Sequence, residues 1–467
     1  MQPPFDIAAD LDTPVSAYLK LAPFKPRFLL ESVEGGERVG RYSFIGFGDV
    51  QSLRLAPGAM PEGVPGESTQ AVVLNFLRDA LSKAPRLTPE GVSPAALPFH
   101  GGLVGVTAFD LVRRFERIPD PRALGDQPMP DLALMAPKSM LVFDHLSRRV
   151  ALLHDGSEAE RRSLRSEIIR ALRGATPARG AIGGVGELIP SLSREAFIEG
   201  VERIKGHIHA GDLYQLVLSA RFEGPCDLEP FQVYRALRLL NPSPYLYFCD
   251  FGDLQVVGSS PEALVKLDGR KATLRPIAGT RPRGADDASD LAMEEELKAC
   301  PKEAAEHVML VDLARNDLGR VAEAGTVKVN PSRIIERYSH VMHLVSGVEG
   351  ILKPGMDEFD LFAASFPAGT VSGAPKIRAM EILDELEPVR RGLYAGTVGY
   401  FGHGGSMDQA IAIRTLQFSG GRVALQAGAG IVADSVADRE FDEVLAKSRG
   451  LRAALELAAQ KPEEGGL

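Results

Sequence analysis

Two short segments put paired carboxylates where they can act together: Lys302-Glu303-Ala304-Ala305-Glu306-His307 and Arg439-Glu440-Phe441-Asp442-Glu443. In each, two glutamates stand three residues apart in a stretch that reads as helix, and residues i and i+3 share one helix face. Lys447 follows Glu443 by four positions and extends the second charged face. If the two helices face each other, Glu303, Glu306, Glu440 and Glu443 converge. Like charges gathered in a fold need a counter-ion. A hard divalent cation such as Mg2+, held by oxygens, supplies one and keeps positions open for water and substrate oxygens. A single Glu-x-x-Glu pair is more often a solvated helix face. Here Val308, Met309, Val311 and Leu313 surround Glu306 in sequence, which predicts a largely buried helix and a carboxylate in need of a partner.

Other residues offer complementary chemistry. Gly428-Ala429-Gly430 closes a predicted strand just before the acidic helix, where glycines let backbone N–H groups approach an anion; a tight turn explains them equally well. Arg414 sits on a predicted strand among Ala410, Ile411, Ala412 and Ile413, and a guanidinium aimed inward should meet a carboxylate or phosphate, whether a ligand's or the protein's own. In Tyr338-Ser339-His340-Val341-Met342-His343, strand alternation puts His343 with Val341 and His340 with Met342, and one histidine can serve as an acid/base or anion donor. The segment from Ser365 to Lys376 is rich in glycine and hydroxyls but lacks the phosphate-loop spacing, and no Gly-x-Gly-x-x-Gly follows a strand. These residues together suggest a Mg2+ enzyme acting on a small polycarboxylate.

The elements that must position these groups follow from patterning. With 467 residues, 45% of them apolar, the chain can bury a large core. A net charge of -9 gives no bulk attraction for nucleic acid or anionic lipid. No apolar run is long enough for a membrane span, and Met1 to Asp10 lacks the features of a signal peptide. Three scattered cysteines, Cys226, Cys249 and Cys300, form no metal or disulfide pattern, which fits a cytoplasmic protein. A small-residue stretch within 173–190 reads as a linker between an N-terminal region, 1–172, and a catalytic region, 191–460. Helices are predicted over Val72–Leu81, from Ser193 to Gly211, over Glu303–Asp317, near 376–386 and over 438–458. Strands are predicted at Arg41–Gly46, Met140–Phe143, Tyr214–Phe222, Leu254–Gly258, Ala263–Leu267, Lys271–Pro276, 338–348, 395–402, 409–416 and 422–428. Strands and helices interleave without strict alternation, so the predicted class is α+β, with large, mainly antiparallel sheets flanked by helices.

Three long motifs in order are more specific than any spacing. Pro276–Gly284 (PIAGTRPRG), Lys302–Arg320 (KEAAEHVMLVDLARNDLGR) and Phe366–Lys376 (FPAGTVSGAPK) resemble the chorismate-utilising enzymes, and the resemblance covers essentially the whole chain. Members that add water carry a lysine base where this chain has Gln215, and members that attack through a lysine carry it where this chain has Ala278. Glutamine cannot deprotonate water, and alanine leaves room for free ammonia. The pair therefore resembles the anthranilate-forming branch, with aminodeoxychorismate or aminodeoxyisochorismate formation as the alternative and a non-catalytic tryptophan-sensing subunit as the remote one.

The resemblance implies roles for individual residues. Glu306 and Glu443 would ligate Mg2+, with Glu303 and Glu440 completing the cluster through waters. Glu262 would be the general acid for the departing C4 hydroxyl, and His343 the active-site histidine. Tyr394 and Arg414 would clamp the enolpyruvyl carboxylate, while Gly279, Thr280, Gly428, Ala429, Gly430 and Lys447 would contact the remaining substrate oxygens. Leu30-Glu31-Ser32 with Pro244-Tyr245-Leu246 resembles a tryptophan feedback site. Cys300 departs from the family, which commonly has Asp before Pro-Lys-Glu. No cysteine lies in a Gly-x-Cys-x-Gly nucleophile setting, so the resemblance implies a separate glutaminase subunit supplying ammonia, in a hetero-oligomer.

Overall fold

The protein is described by a computed structural model. It covers residues 4–32, 40–64, 66–119, 129–178, 180, 183–337 and 341–460. Among these residues, 19 strands join into one sheet and three more form a small second sheet.

The elements that shape the site are, in chain order, β1 (Pro26–Glu31), β2 (Tyr42–Leu55), α1 (Thr69–Lys83), β3 (Gly102–Thr107), β4 (Leu132–Asp144), α2 (Arg194–Ala210), β5 (Gln215–Pro225), α3 (Pro230–Leu240), β6 (Tyr245–Asp250), β7 (Leu254–Ser260), β8 (Ala263–Asp268), β9 (Ile277–Pro282), α4 (Pro301–Val321), β10 (Val341–Val345), α5 (Lys376–Leu386), β11 (Thr397–Gly402), β12 (Ser406–Ile411), β13 (Thr415–Ser419), β14 (Arg422–Ile431) and α6 (Ala437–Ala459). The predicted α+β class with antiparallel pairing holds. Positions 338–340, the start of the predicted histidine strand, lie outside the described residues.

Local chemistry sets several of these boundaries. The Ser193 hydroxyl accepts from the Ala196 N–H at the start of α2, and Gly211, at φ 83°, closes it in the left-handed conformation. α4 opens on Pro301, which needs no N–H partner there, and carries Glu303 in its first turn, where the helix dipole favours an anion.

The antiparallel pairings run in a ring. From β7 they pass through β6, β1, β2, β4, β3, β11 and β12 to β8. β7 continues directly into β8 through Pro261 and Glu262, and β12 continues into β13 through Ala412, Ile413 and Arg414. β7 pairs with β13 while β8 pairs with β12, so one long hairpin forks at this point into two limbs. β14 and β5 extend the limb beyond β13. Strands from both sides of the predicted linker share this sheet, as in the β1–β6 and β3–β11 pairs.

Apolar residues separate into three bodies. Phe28, Phe44, Phe99, Val104, Tyr247, Val256 and Val398 pack inside the ring. Phe197, Val201, Phe231, Leu237, Phe441 and Val444 bring α2, α3 and α6 onto one outer face. Val73, Leu77, Ala314, Leu318 and Met380 bring α1, α4 and α5 onto the other. Each fully buried side chain of this size contributes about 1.5–3 kcal/mol of transfer free energy.

Two expectations are corrected. The strand predicted over 409–416 is two strands, and Arg414 lies in the break with φ 50°, a left-handed conformation rare for a side chain of this size. Val308 does not cover Glu306: it is 57% exposed, and the buried face of α4 is formed by His307, Leu310, Ala314 and Leu318.

Candidate active site

The fork places Glu262 and Arg414 side by side. The Ile411 N–H donates to the Glu262 carbonyl at 3.0 Å, and the Ser259 N–H donates to the Arg414 carbonyl at 3.1 Å. Both side chains line a cavity of about 380 Å3 with Tyr394, Gln215, Thr370, Gln426, Gly428, Gly430, Glu306, Glu440, Glu443 and Lys447. α4 and α6 therefore present acidic faces to one space.

Glu262 is the most perturbed of these groups. Burial pushes its carboxyl up to about 7, against the Thr370 hydroxyl bond and the charges of Arg414 and Lys447, which favour the anion. Thr370 Oγ1 donates to Glu262 Oε1 at 3.0 Å. A carboxyl poised near neutrality inside a cavity is suited to general-acid work.

The acidic helices behave differently. Burial and the adjacent Glu303 raise the Glu306 carboxyl, opposed by Lys302, a Gln215 hydrogen bond and Lys447. Burial also raises Glu440, with Glu443 adding to it and the Ser435 hydroxyl opposing it. Glu303 does not line the cavity: it pairs with Arg281 at 3.2 Å, so the expected convergence of four carboxylates is reduced to three. Among the described residues, no three potential ligands lie close enough together to hold a metal ion. The donor chemistry nonetheless suits Mg2+, because oxygen ligands from two helices face one cavity and a cation there relieves both raised carboxyls.

The glycines of β14 act through close approach. A Cβ on Gly430 would meet Gln215 Nε2 at 2.6 Å, and one on Gly428 would meet the Tyr394 hydroxyl at 2.7 Å. The three-residue segment lies at the end of the strand, as expected, one residue before it stops at Ile431, and alternation turns Ala429 away from the cavity into the helix-packed core. Lys447 donates to the Gly428 carbonyl at 3.0 Å and pairs with Glu443 at 2.7 Å. Burial pushes the Tyr394 hydroxyl up to about 12, so it remains a neutral donor.

His343, Gly279 and Thr280 form a neighbouring group on the small sheet, where β9 pairs with β10 across a bulge. His343 Nδ1 lies 3.1 Å from the Gly279 carbonyl and 3.0 Å from Thr280 Oγ1. Burial lowers the His343 pKa, the Gly279 carbonyl opposes that, and Arg414 adds to it, so the ring is neutral at pH 7. None of the three lines the Glu262 cavity itself.

A second cavity, of about 520 Å3, opens inside the ring. Leu30, Glu31, Ser32, Pro244, Tyr245 and Leu246, all six of the residues predicted for an inhibitor, line it. The Glu31 carboxylate is already engaged: Tyr234 donates to it, and Arg238 pairs with it at 3.0 Å. Lys266, Arg275, Tyr400 and Asp408 also line this space and were not singled out in the sequence. Thr370 was likewise missed as an individual residue, although the hydroxyl-rich Ser365–Lys376 segment that carries it was the available signal.

Residues 25–453 match the family model described as chorismate binding enzyme. The chain is 48% identical to anthranilate synthase component 1 of Thermus thermophilus, covering 96% of each chain. It is 46% identical to anthranilate synthase component 1 of Pseudomonas aeruginosa, covering 98% of this chain and 96% of that one. Among solved structures, anthranilate synthase component I of Streptococcus pneumoniae superposes with a TM-score of 0.78 at 34% identity, covering 95% of this chain and 98% of that one. The menaquinone-specific isochorismate synthase of Escherichia coli shares the fold, with a TM-score of 0.71 at 21% identity over 96% of this chain and 92% of that one.

Proposed function

This chain belongs to the chorismate binding enzyme family, and on that premise we propose that it converts chorismate and ammonia to anthranilate, pyruvate and water, as the chorismate-acting component of an anthranilate synthase in tryptophan biosynthesis. The observation that supports this most directly is the Glu262 cavity. It joins a carboxyl poised near 7 to a neighbouring guanidinium, a neutral tyrosine and an acidic wall.

The roles follow from that chemistry. Arg414 and the Tyr394 hydroxyl bind the enolpyruvyl carboxylate. Glu262 gives its proton to the C4 hydroxyl, which leaves as water while ammonia bonds to C2. His343, kept neutral by burial, is available to take the C2 proton as the enolpyruvyl ether bond breaks; that proton goes on to the methylene carbon of the departing enolpyruvate, giving pyruvate, and the ring becomes aromatic. Glu306, Glu440 and Glu443 would hold Mg2+, which supplies a Lewis acid at the ring carboxylate. Gln215, hydrogen-bonded to Glu306, offers no base for water, which favours ammonia as the nucleophile.

The larger cavity takes tryptophan as a feedback inhibitor, with its ring among Leu30, Pro244 and Leu246 and its polar end toward the charged rim. A glutaminase subunit supplies the ammonia in a hetero-oligomer, consistent with the component naming of the relatives. The cysteines are unpaired, which fits a reducing, cytoplasmic compartment, and among the described residues no helix is long and apolar enough to cross a membrane.

The test is anthranilate fluorescence from the purified chain with chorismate, Mg2+ and excess ammonium, with and without tryptophan. Signal that requires Mg2+ and falls with tryptophan is the expected result. Chorismate consumed without fluorescence indicates an aminodeoxy product, and no consumption removes the catalytic assignment.

A further inference from the structure

Directly behind the cavity wall lies a buried ion pair that the reaction scheme does not use. Arg391 is 3% exposed and Glu387 9% exposed. Arg391 donates from Nε to Glu387 Oε2 and from Nη2 to Oε1, both at 2.8 Å. Its remaining reach goes to two backbone carbonyls on opposite walls: Nη1 to Val371 at 2.7 Å and Nη2 to Val217 at 2.6 Å. The guanidinium carbon also lies 5.5 Å from the Tyr394 ring centroid. Glu387 is fixed in turn by the Ser219 N–H at 3.0 Å and the Ser219 hydroxyl at 2.6 Å.

Three of the groups this pair touches form part of the catalytic surface. Val371, Val217 and Tyr394 line the cavity. Thr370, whose hydroxyl bonds Glu262, immediately precedes Val371. Gln215, which bonds Glu306, is two residues before Val217 on β5.

A buried ion pair is weak evidence for stability, because an apolar pair of similar volume serves as well or better. What an apolar pair cannot do is hold two carbonyls from different elements at fixed separation. That task needs the planar fork of arginine, whose five donors keep set directions, and lysine has no equivalent.

We propose that Arg391, locked in orientation by Glu387, is a positioning residue that holds the Thr370 hydroxyl against Glu262 and the Tyr394 ring against the substrate-binding wall. It rests on the assignment of the Glu262 cavity as the catalytic site.

The experiment compares Arg391→Lys, Glu387→Gln, Thr370→Val, Glu262→Gln and the double variant Arg391→Lys/Thr370→Val, using chorismate, Mg2+ and ammonium. Each is read for kcat, KM, the pH dependence of kcat/KM and Tm. Arg391→Lys is expected to lower kcat about tenfold, because small misplacements of reacting groups cost rate more than binding, with KM changed by less than about threefold. Its alkaline limb moves to higher pH, because loss of the Thr370 bond removes support for the Glu262 anion. Arg414 and Lys447 face Glu262, and Lys302, Glu306, Glu440 and Glu443 share its cavity; all are unchanged in these variants. Thr370→Val moves the limb the same way, and the double variant is no slower than the slower single one.

Arg391→Lys with a lower Tm but wild-type kcat and limb overturns the proposal, as does a double variant whose losses multiply. If Arg391→Lys does not fold, Glu387→Gln, which keeps one acceptor oxygen, replaces the other with a donor facing Arg391 and removes the charge, decides by the same readouts. Glu262→Gln at wild-type rate would overturn the catalytic assignment together with the proposal. A slow Glu262→Gln beside a normal Arg391→Lys overturns the positioning role alone.

Discussion

Glu262 and Ala263 are consecutive residues that line different cavities: Glu262 faces the space shared with Arg414, and Ala263, with Pro261, faces the larger space lined by Leu30 and Ser32. The fork between β7 and β8 makes this possible, because the strand alternates its side chains as the two limbs of the hairpin part. A ligand seated in the larger cavity touches the backbone that carries the acid.

Filling the larger cavity should therefore imitate its ligand. Ala263→Leu is expected to lower kcat severalfold without tryptophan and to raise the tryptophan concentration for half-inhibition at least about tenfold, since overpacking forces the backbone to shift. Steady-state rates across a tryptophan titration check both. A variant with normal kcat and normal inhibition would mean that the segment does not transmit between the cavities.

As the proposed general acid, Glu262 acts in its protonated form, so activity should fall as pH rises through about 7. Glu262→Gln keeps the shape, cannot give up a proton, and should lose about 10²–10⁴-fold in kcat. The stability effect has the opposite sense. With its folded pKa raised above the unfolded value, Glu262 favours folding below the ordinary carboxyl range, and that contribution disappears as pH rises toward and through 7. Glu262→Gln should therefore melt higher than wild type at pH 8 and show little difference near pH 4, as read by thermal denaturation.

What could be read from sequence divides along physical lines. The α2 helix was legible because its cap, its apolar period and Gly211 all agree, and the acidic faces of α4 and α6 were legible because i and i+3 are fixed by helix geometry. The break at Arg414 was not, because Ile411 to Leu416 has continuous strand propensity and only tertiary pairing with Glu262 interrupts it. The diversion of Glu303 to Arg281 was hidden for a similar reason: β9 brings the arginine in from 22 residues away. Arg391 drew no attention because a lone Arg beside Arg390 reads as surface charge, and its burial depends on carbonyls from β5 and from the turn after Thr370.

Gln215 is buried and bonds Glu306, so Gln215→Lys would set an ammonium against the acidic wall. The new cation competes with Mg2+ for the same carboxylate. The Mg2+ concentration for half-maximal activity should rise about tenfold or more, and anthranilate formation at saturating ammonium should fall. A Mg2+ titration followed by fluorescence measures both, and an unchanged titration would place the cation away from Glu306.

The metal assignment also predicts a stability signature that needs no turnover. Glu306 and Glu440 both have folded pKa values raised by burial and like charge, so their contribution to stability is present at low pH and is lost as pH rises through the raised values. Without metal, Glu306→Gln should therefore melt higher than wild type at pH 8. On the proposed assignment, Mg2+ binding the folded state through these carboxylates reverses the order: at about 100 times its dissociation constant it adds roughly 2.7 kcal/mol to wild type. Glu306→Gln and Glu440→Gln should show much smaller shifts. Melting curves at pH 8 with EDTA and with Mg2+ provide the check, and equal Mg2+ shifts in all three proteins would exclude these residues as ligands.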